Sequence, residues 1–459
     1  MRRIAGIVAA LLLLTPLALP AQGTRGDLPE TPAGIRATQL LEALEGSPAD
    51  RRALLEDAFT SEYRASTPAK DWMSELDRLA ADLDGAERTG VRMAGPTEIT
   101  VAFRTEDGGR LRLSIRVSED EPHRIRGMQV EAGEGPGASL DIRSWEHLDA
   151  MLRKQEASGR FAGVILAARN DELAFHRAYG QARRDPARPV RRDTRFNIGS
   201  LVKPFTGAVI LRLAQEGRLH LNDTVGRYVE GLRPEVAGHV TIMHLLRHRS
   251  GLGDYLRHPE FREQPDRFRS VDALVSLVRE QPLDFEPGAE RRYSNSGFVL
   301  LGAVIEAVTG RSYGQVLEEW IFRPAGMEHT SLGREAAEGA AAVPYRRAED
   351  GGLEPVGHLH ASRGSPAGGG YSTAGDLHAF ARAVLSDRLL EPQWTNLLLA
   401  GYDRTVAREE GRVGVGWGGG APGVNATLEI DPDGTVVAAV ANRDPPAATR
   451  VGVSVMRWL

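Results

Sequence analysis

A serine and a lysine one helical turn apart are the residues of this sequence best suited to covalent chemistry. In the segment Asn197-Ile-Gly-Ser-Leu-Val-Lys-Pro-Phe205, Ser200 and Lys203 are three positions apart. Lysine is rare here, since only three of the 57 basic residues are lysines and the rest are arginines. Arginine stays charged at physiological pH, whereas a buried lysine can become neutral and accept a proton. The pair therefore predicts a serine nucleophile with a lysine as its base.

The element that must position this pair is predicted to be a helix from Ser200 to about Glu216, ended by Gly217. Pro204 is tolerated near the start because the amides of the first turn have no partners within a helix. Residues three apart lie on one helix face, so Lys203 can reach the hydroxyl of Ser200. The free amides at a helix start also favour a developing negative charge.

Two later segments complete a set of three motifs. They are Arg292-Tyr-Ser-Asn-Ser-Gly297, which contains Tyr293-x-Asn295, and Gly416-Trp-Gly-Gly-Gly-Ala-Pro-Gly423. In order and spacing the set resembles the serine beta-lactamase and penicillin-binding-protein superfamily, in particular its class C-like branch of esterases, D-aminopeptidases and D-Ala-D-Ala carboxypeptidases. The resemblance runs from about Phe161 to Asp444 and includes three further landmarks: Thr194-Arg-Phe-Asn-Ile-Gly199, His244-Leu-Leu-Arg-His-Arg-Ser-Gly251 and Gly368-Gly-Gly-Tyr-Ser-Thr373.

The resemblance implies a role for each matched position. Ser200 would be the acylated nucleophile and Lys203 its base. Tyr293 would relay protons to the leaving group and activate the deacylating water, while Asn295 would hydrogen-bond to the acyl side chain. The backbone amides of Ser200 and Gly420 would form the oxyanion hole.

Trp417 departs from the family pattern, which has lysine or histidine at the first place of the third motif. An indole N–H is a neutral donor and cannot replace a cation that holds a substrate carboxylate. The departure favours neutral esters or amides as substrates, lying against Trp417, Gly418 and Gly419. Arg363, just before the Gly368–Gly370 run, is the candidate for a replacement cation.

Three functions remain open at this point. The leading hypothesis is an exported serine hydrolase that acts on small esters or amides through an acyl-enzyme. The alternative within enzymes is a D-amino-acid peptidase, a D-Ala-D-Ala carboxypeptidase or a beta-lactamase. The alternative of another class is a binding or sensor protein that acylates without turnover. The sequence specifies neither the acyl and leaving groups nor the oligomeric state.

Composition excludes several other classes. The chain has no cysteine, so disulfides, thiolate metal sites and a cysteine nucleophile are absent. A net charge of −5 gives no reason to expect nucleic acid or an anionic membrane as a partner. His244 and His248 have a spacing that can bind zinc on a helix, but no acidic third ligand follows, and the resemblance implies packing roles. No metal and no cofactor are expected. The Gly-x-Ser-x-Gly motif of α/β-hydrolases is missing.

The chain is predicted to consist of three parts. Residues 1–21 combine Met1-Arg-Arg3 with the apolar stretch Ile4 to Pro20 and predict a cleaved signal peptide, with a retained anchor as the alternative. The mature protein is then expected to be secreted or periplasmic. Residues 22–138 form a small α+β domain of unknown role, which ends in a Gly/Pro-rich linker at residues 131–138.

Residues 139–459 are predicted to form the serine hydrolase domain. Strand patterns at its two ends, two at the start and three at the end, predict one antiparallel sheet around a mostly helical middle. The resemblance implies a beta-lactamase/transpeptidase-like α/β sandwich: a five-stranded antiparallel sheet with helices plus an all-helical subdomain. The whole chain is therefore expected to be α+β.

Overall fold

The computed structural model describes residues 28–65, 69–104, 110–132, 140–170, 172–333, 341–348, 352–356 and 364–459. The chain divides into two compact units, Met1–Ala138 and Ser139–Leu459. The predicted signal peptide at residues 1–21, most of the predicted linker and Arg363 lie outside the described residues. No helix in the described ranges is both long and apolar enough to cross a membrane.

In the described residues of the first unit, four helices precede a four-stranded antiparallel meander of order β1-β2-β3-β4. The helices are α1 (Pro32–Glu45), α2 (Pro48–Ala58), α3 (Ser61–Ala65) and α4 (Ala69–Leu83), and the strands are β1 (Glu87–Gly95), β2 (Glu98–Arg104), β3 (Arg110–Val117) and β4 (Ile125–Ala132). Alternation of apolar residues predicts β2 and β3, whose inward side chains are buried. It misses β1 and β4, because edge strands bury their apolar side chains only partly, as at Val91 and Met93.

Apolar side chains from the strands and from the helices pack together in the core of this unit. Ile99 and Val101 of β2 and Ile115 of β3 are buried with Leu40 of α1 and Leu76 of α4. Side chains also fix helix boundaries locally. Ser47 and Asp50 form a reciprocal capping box at the start of α2. Together these features account for the small α+β domain that the sequence predicts.

The second unit is built on a five-stranded antiparallel sheet of order β13-β14-β15-β5-β6. The strands in the described residues of this unit, in chain order, are β5 (Gly163–Arg169), β6 (Glu172–Tyr179), β7 (Gln181–Arg184), β8 (Ala187–Pro189), β9 (Phe196–Asn197), β10 (Tyr345–Arg347), β11 (Leu353–Pro355), β12 (Tyr371–Ser372), β13 (Val415–Ala421), β14 (Val424–Ile430) and β15 (Thr435–Ala441). The strands outside the five-stranded sheet form three two-stranded sheets: β7 with β8, β9 with β12 and β10 with β11. The five-stranded sheet joins the two ends of the unit, as predicted, because β15 pairs with β5.

Helices cover both faces of this sheet. The helices in the described residues of this unit are α5 (Trp145–Ala157), α6 (Lys203–Gln215), α7 (Pro234–His239), α8 (Ile242–Leu246), α9 (Pro259–Glu263), α10 (Val271–Ser276), α11 (Asn295–Thr309), α12 (Tyr313–Leu317), α13 (Arg323–Ala325), α14 (Ala374–Leu385), α15 (Pro392–Leu399), α16 (Arg404–Glu409) and α17 (Ala447–Trp458). On one face, Val437 of β15 packs with residues of α5 and α17. Its neighbour Ala438 faces the other side and packs with α6, α11 and α14.

The helix that carries the Ser-x-x-Lys motif begins later than predicted. Residues Gly199–Val202 form a 3-10 turn, and the α-helix α6 starts at Lys203. Gly199, at the start of this turn, has a φ of 50°, in the left-handed region that favours glycine. In a 3-10 turn, side chains at i and i+3 eclipse one another, so Ser200 and Lys203 still lie one above the other.

Candidate active site

The hydroxyl of Ser200 lies between a lysine and a tyrosine. Lys203 Nζ is 3.2 Å from Ser200 Oγ, and Tyr293 Oη is 2.7 Å from the same oxygen. Tyr293 comes from the segment before α11, 93 residues along the chain. The fold therefore brings together the three residues that the motifs predict for nucleophile, base and proton relay.

Lys203 is buried, with 6 % of its surface exposed. Its ammonium group reaches Asn295 Oδ1 at 2.7 Å and also donates to the carbonyl of Ala367. Burial lowers the pKa of Lys203 to about 7, although the carboxylate of Asp254 acts in the opposite direction. A neutral amine has two N–H groups and one lone pair. With both N–H groups donated to Asn295 and Ala367, the lone pair is left for the Ser200 hydroxyl.

Tyr293 is half exposed and rests on aromatic neighbours. Its ring stacks on the imidazole of His248 with 4.5 Å between the ring centroids, and Lys203 Nζ lies 4.8 Å from its centroid. Burial of the hydroxyl raises the pKa of Tyr293 above its usual value of 10, and the Asp254 carboxylate adds to the rise. The phenol is therefore protonated at neutral pH and can donate to the oxygen of Ser200.

His248 supports Tyr293 as a neutral side chain. Its Nδ1 accepts a hydrogen bond from the backbone N–H of Ser294 at 3.2 Å. Burial and the nearby charge of Lys203 lower the pKa of His248 to about 4. The other histidine of the zinc-like pair, His244, uses its Nδ1 to accept from the backbone of Thr241 at the start of α8. Each imidazole thus has its own local contact, and the described residues contain no cluster able to hold a metal ion.

Asn295 is held from both ends of its amide. Its Oδ1 accepts from Lys203, and its Nδ2 donates to Asp254 Oδ2 at 2.7 Å. The carboxylate of Asp254 also accepts from the backbone N–H of Leu256 at 3.0 Å and caps a 3-10 turn. Sequence reasoning missed Asp254. Its signal was an acidic residue three positions after the His244–Gly251 landmark.

The glycine motif lies on β13, the edge strand of the sheet, beside the 3-10 turn Gly199–Val202 that contains Ser200. A methyl group added to Gly419 would lie 1.9 Å from the carbonyl oxygen of Ile198 and 3.0 Å from Ser200 N. One added to Gly199 would lie 3.0 Å from Gly420 N. The amides of Ser200 and Gly420 therefore both lie where the backbone of β13 contacts the backbone around Ser200. Side chains at positions 199 and 419 would prevent this contact, so glycine is required there.

The Gly368–Gly370 run supports the same turn from another side. Gly369 N donates to the carbonyl of Gly199 at 3.1 Å, and Ile198 N donates to that of Gly370 at 2.9 Å. Gly418 alternates with Gly419 along β13 and is exposed. The turn that contains Ser200 is thus flanked by two glycine-rich backbones.

Trp417 packs toward the core, although it stands at the first place of the third motif. It lies opposite Leu428 of β14, which is buried. The half-buried indole has its ring centroid 6.0 Å from that of Phe380 on α14, and Phe380 in turn contacts Phe205 of α6 at 4.7 Å. This aromatic row ties the edge strand to the helix that carries Lys203.

Comparison with known proteins places this geometry in a family. The sequence model of the beta-lactamase family matches residues 148–454. The chain is 34 % identical over 189 residues to penicillin-binding protein 4* of Bacillus subtilis, covering 41 % of each chain. It is 34 % identical over 233 residues to esterase EstB of Burkholderia gladioli, covering 48 % of this chain and 57 % of EstB. The chain thus spans about half the length of these curated relatives.

Among solved structures, a penicillin-binding protein from Bacillus halodurans matches with a TM-score of 0.61 and 26 % identity. The match covers 69 % of this chain and all of the other. This confirms the predicted fold class, in which a five-stranded antiparallel sheet is sandwiched between helices. Among the described residues, the hydrogen bonds of Ser200, Tyr293 and Asn295 include none to an arginine.

Proposed function

The chain belongs to the beta-lactamase family, and we propose that it is a serine hydrolase that works through an acyl-enzyme on Ser200. The observation that carries the proposal is the position of Ser200 Oγ, 3.2 Å from Lys203 Nζ and 2.7 Å from Tyr293 Oη. A nucleophile within hydrogen-bond reach of both a base and an acid is the arrangement that acyl transfer requires.

The two partners of Ser200 have pKa values pushed in opposite directions. Burial lowers the pKa of Lys203 to about 7, so a large fraction of the amine is neutral at physiological pH. Burial raises the pKa of Tyr293, which keeps the phenol protonated. Lys203 is therefore assigned as the base and Tyr293 as the acid, since opposed pKa values separate such roles.

In acylation, Ser200 Oγ would attack the substrate carbonyl while its proton passes to Lys203. The amides of Ser200 and Gly420 would receive the oxyanion. Collapse of the intermediate would break the bond to the leaving group, which would take a proton from Tyr293. In deacylation, the Tyr293 phenolate left by acylation would take a proton from water, whose oxygen would attack the acyl carbonyl. Collapse of this second intermediate would release the carboxylic acid, and the Ser200 oxygen would take the proton held by Lys203. The neutral lysine and the Tyr293 hydroxyl would thereby be restored.

The proposed substrates are small neutral esters or amides. Trp417 replaces the cation of the third motif with an indole, and the hydrogen bonds of Ser200, Tyr293 and Asn295 within the described residues involve only one cation, Lys203. One matched relative is named an esterase. The similarity to a protein named a penicillin-binding protein favours the alternative, a peptidase or beta-lactamase that recognises a substrate carboxylate.

Export forms part of the proposal, supported by the basic and apolar residues at positions 1–20. The expected product is a chain that starts near residue 22, which N-terminal sequencing of secreted or periplasmic protein would detect. A full-length chain in the membrane fraction would favour the retained anchor.

The test of the function is covalent labelling. A fluorophosphonate is expected to add to Ser200 and to no other serine, and Ser200→Ala is expected to abolish both labelling and ester hydrolysis. Ser276→Ala is the matched control, because Ser276 is exposed at the end of α10. Intact mass spectrometry reads the label. Labelling that persists in Ser200→Ala would overturn the assignment, and labelling without turnover of any ester would favour the sensor hypothesis.

A further inference from the structure

The amide of Asn295 stands between two groups of opposite charge. On one side is Asp254, whose carboxylate can only accept hydrogen bonds, and on the other is Lys203. An acceptor-only neighbour requires the NH2 end of the amide to face Asp254. The oxygen end must then face Lys203, as the distances of 2.7 Å on both sides show.

We propose that Asp254 is a positioning residue of the acylation site, holding Asn295 in the one orientation that directs the lone pair of Lys203 at Ser200. The inference rests on the proposed function, since it concerns the base of the same reaction. Without the carboxylate, the amide could rotate and present its NH2 group to Lys203. Two donors would then face each other, and the lysine would lose one of the two acceptors that orient it.

The carboxylate also acts on Lys203 through its charge. Asp254 favours the protonated lysine and opposes the effect of burial on its pKa. The other titratable groups around this chain of contacts are Tyr293, Tyr255 and His248, and the charge of Arg291 acts on His248. Burial raises the pKa of Tyr255 to about 12 and that of Tyr293 above 10, and it lowers that of His248 to about 4. None of these three changes charge near neutral pH, so the acid side of the rate profile reports Lys203.

Asp254→Asn is the variant that separates this role from a structural one. Asparagine is as good a helix N-cap as aspartate, so the cap on Leu256 N is retained while the charge is removed. Asp403→Asn is the matched control, because Asp403 also caps a helix through its side chain, at the start of α16.

The measurement is the rate of fluorophosphonate labelling of Ser200 against pH. For Asp254→Asn we expect the acid limb to move to lower pH by about one pH unit, because the lysine loses a neighbouring negative charge. We also expect the plateau rate to fall about 10-fold, because the amide is no longer held. Asp403→Asn should leave both quantities unchanged.

A cycle with Asn295→Ala tests whether Asp254 acts through the amide. In the Asn295→Ala background, Asp254→Asn is expected to change the plateau rate less than about 2-fold. An acid limb that stays in place in Asp254→Asn, or plateau losses that simply multiply, would reduce Asp254 to a cap and overturn the inference. That failure is distinct from failure of the proposed function, in which Ser200→Ala itself would still be labelled.

Discussion

Two clusters of polar side chains in the second unit each surround one buried charged residue, and they balance that charge differently. In the Lys203 cluster (Lys203, Asn295, Asp254, Ser200 and Tyr293), none of the three hydrogen-bond acceptors of the lysine is a carboxylate. The nearest anion, Asp254, is reached only through the amide of Asn295. A cation buried without direct compensation is costly, and its low pKa is the result.

The Asp376 cluster (Asp376, Thr330, Ser372, Thr373 and His329) compensates its charge locally. Asp376 is 5 % exposed, and its Oδ2 accepts from the backbone of His329 at 2.8 Å and from the hydroxyl of Thr330 at 2.7 Å. Asp376 also lies in the first turn of α14, where the helix dipole favours an anion. The negative charge of Asp376 therefore has hydrogen-bond donors in direct contact with it.

The comparison distinguishes two roles that a buried charged side chain can have. A buried ion surrounded by matched donors joins parts of the structure and gains stability from hydrogen bonds. A buried ion left short of compensation, and placed against a nucleophile, is poised to change its protonation state. Although both clusters lie at the start of a helix of the second unit, only the Lys203 cluster is expected to do chemistry.

The largest expected effect follows from keeping the charge of Lys203 while removing its ability to accept a proton. Lys203→Arg is predicted to lower the acylation rate by about 100- to 10,000-fold, the usual contribution of general-base catalysis. Burst kinetics with a chromogenic ester would measure it. A rate within a few-fold of wild type would mean that Lys203 serves as a fixed charge and that the two clusters do not differ in kind.

The next effect is on stability. The pKa of Lys203 is about 7 in the folded state against 10.5 when unperturbed. Between these values the unfolded chain binds a proton that the folded chain does not, so wild-type stability rises with pH through this window. Relative to Lys203→Met, wild type is predicted to gain roughly 3 kcal/mol of unfolding free energy between about pH 7 and pH 9.5.

Denaturant unfolding at the two pH values tests this. Asp376→Asn is the matched variant from the other cluster. Its unfolding free energy is expected to be about 1–3 kcal/mol below that of wild type, and the difference should be the same at both pH values. The rate of fluorophosphonate labelling should change little. If the difference in unfolding free energy from wild type changes with pH to the same extent for Lys203→Met and for Asp376→Asn, the contrast between the clusters is lost.

The smallest predicted effect concerns Trp417, which belongs to neither cluster. Because its indole packs on Phe380 and offers no cation, wild type is expected to prefer a neutral ester to the matched acid. Trp417→His is predicted to raise kcat/KM for the acid relative to the ester by about 10-fold when the imidazole is protonated.

Trp417→Phe controls for this substitution, since it keeps an aromatic ring without adding a charge. The assay compares a matched acid and methyl ester at about pH 6, where histidine is largely protonated. Equal ratios in the two variants would leave Trp417 as a packing residue. A wild type that already prefers the acid would favour the peptidase alternative.

Much of this protein is determined locally by its sequence. The spacing of Ser200 and Lys203 brings their side chains together in either an α-helix or a 3-10 turn, because residues three apart lie on one side of both. Alternating apolar residues define β2, β3 and β14, because successive side chains in a strand point to opposite faces. The strand β15 is an unbroken apolar run instead, because both of its faces are buried. The three motifs identify the family, and the order of strand patterns predicts the five-stranded sheet.

Tertiary structure alone decided the rest. Asp254 and Asn295 are 41 residues apart, and the carbonyl of Ala367 is 164 residues from Lys203. No local pattern specifies such contacts, because they depend on how whole elements pack. The same packing turns the ring of Trp417 toward Phe380. The pKa of Lys203 is set in this way too: the sequence provides a lysine, and only its burial in the folded unit lowers the pKa to about 7, as the proposed role of base requires.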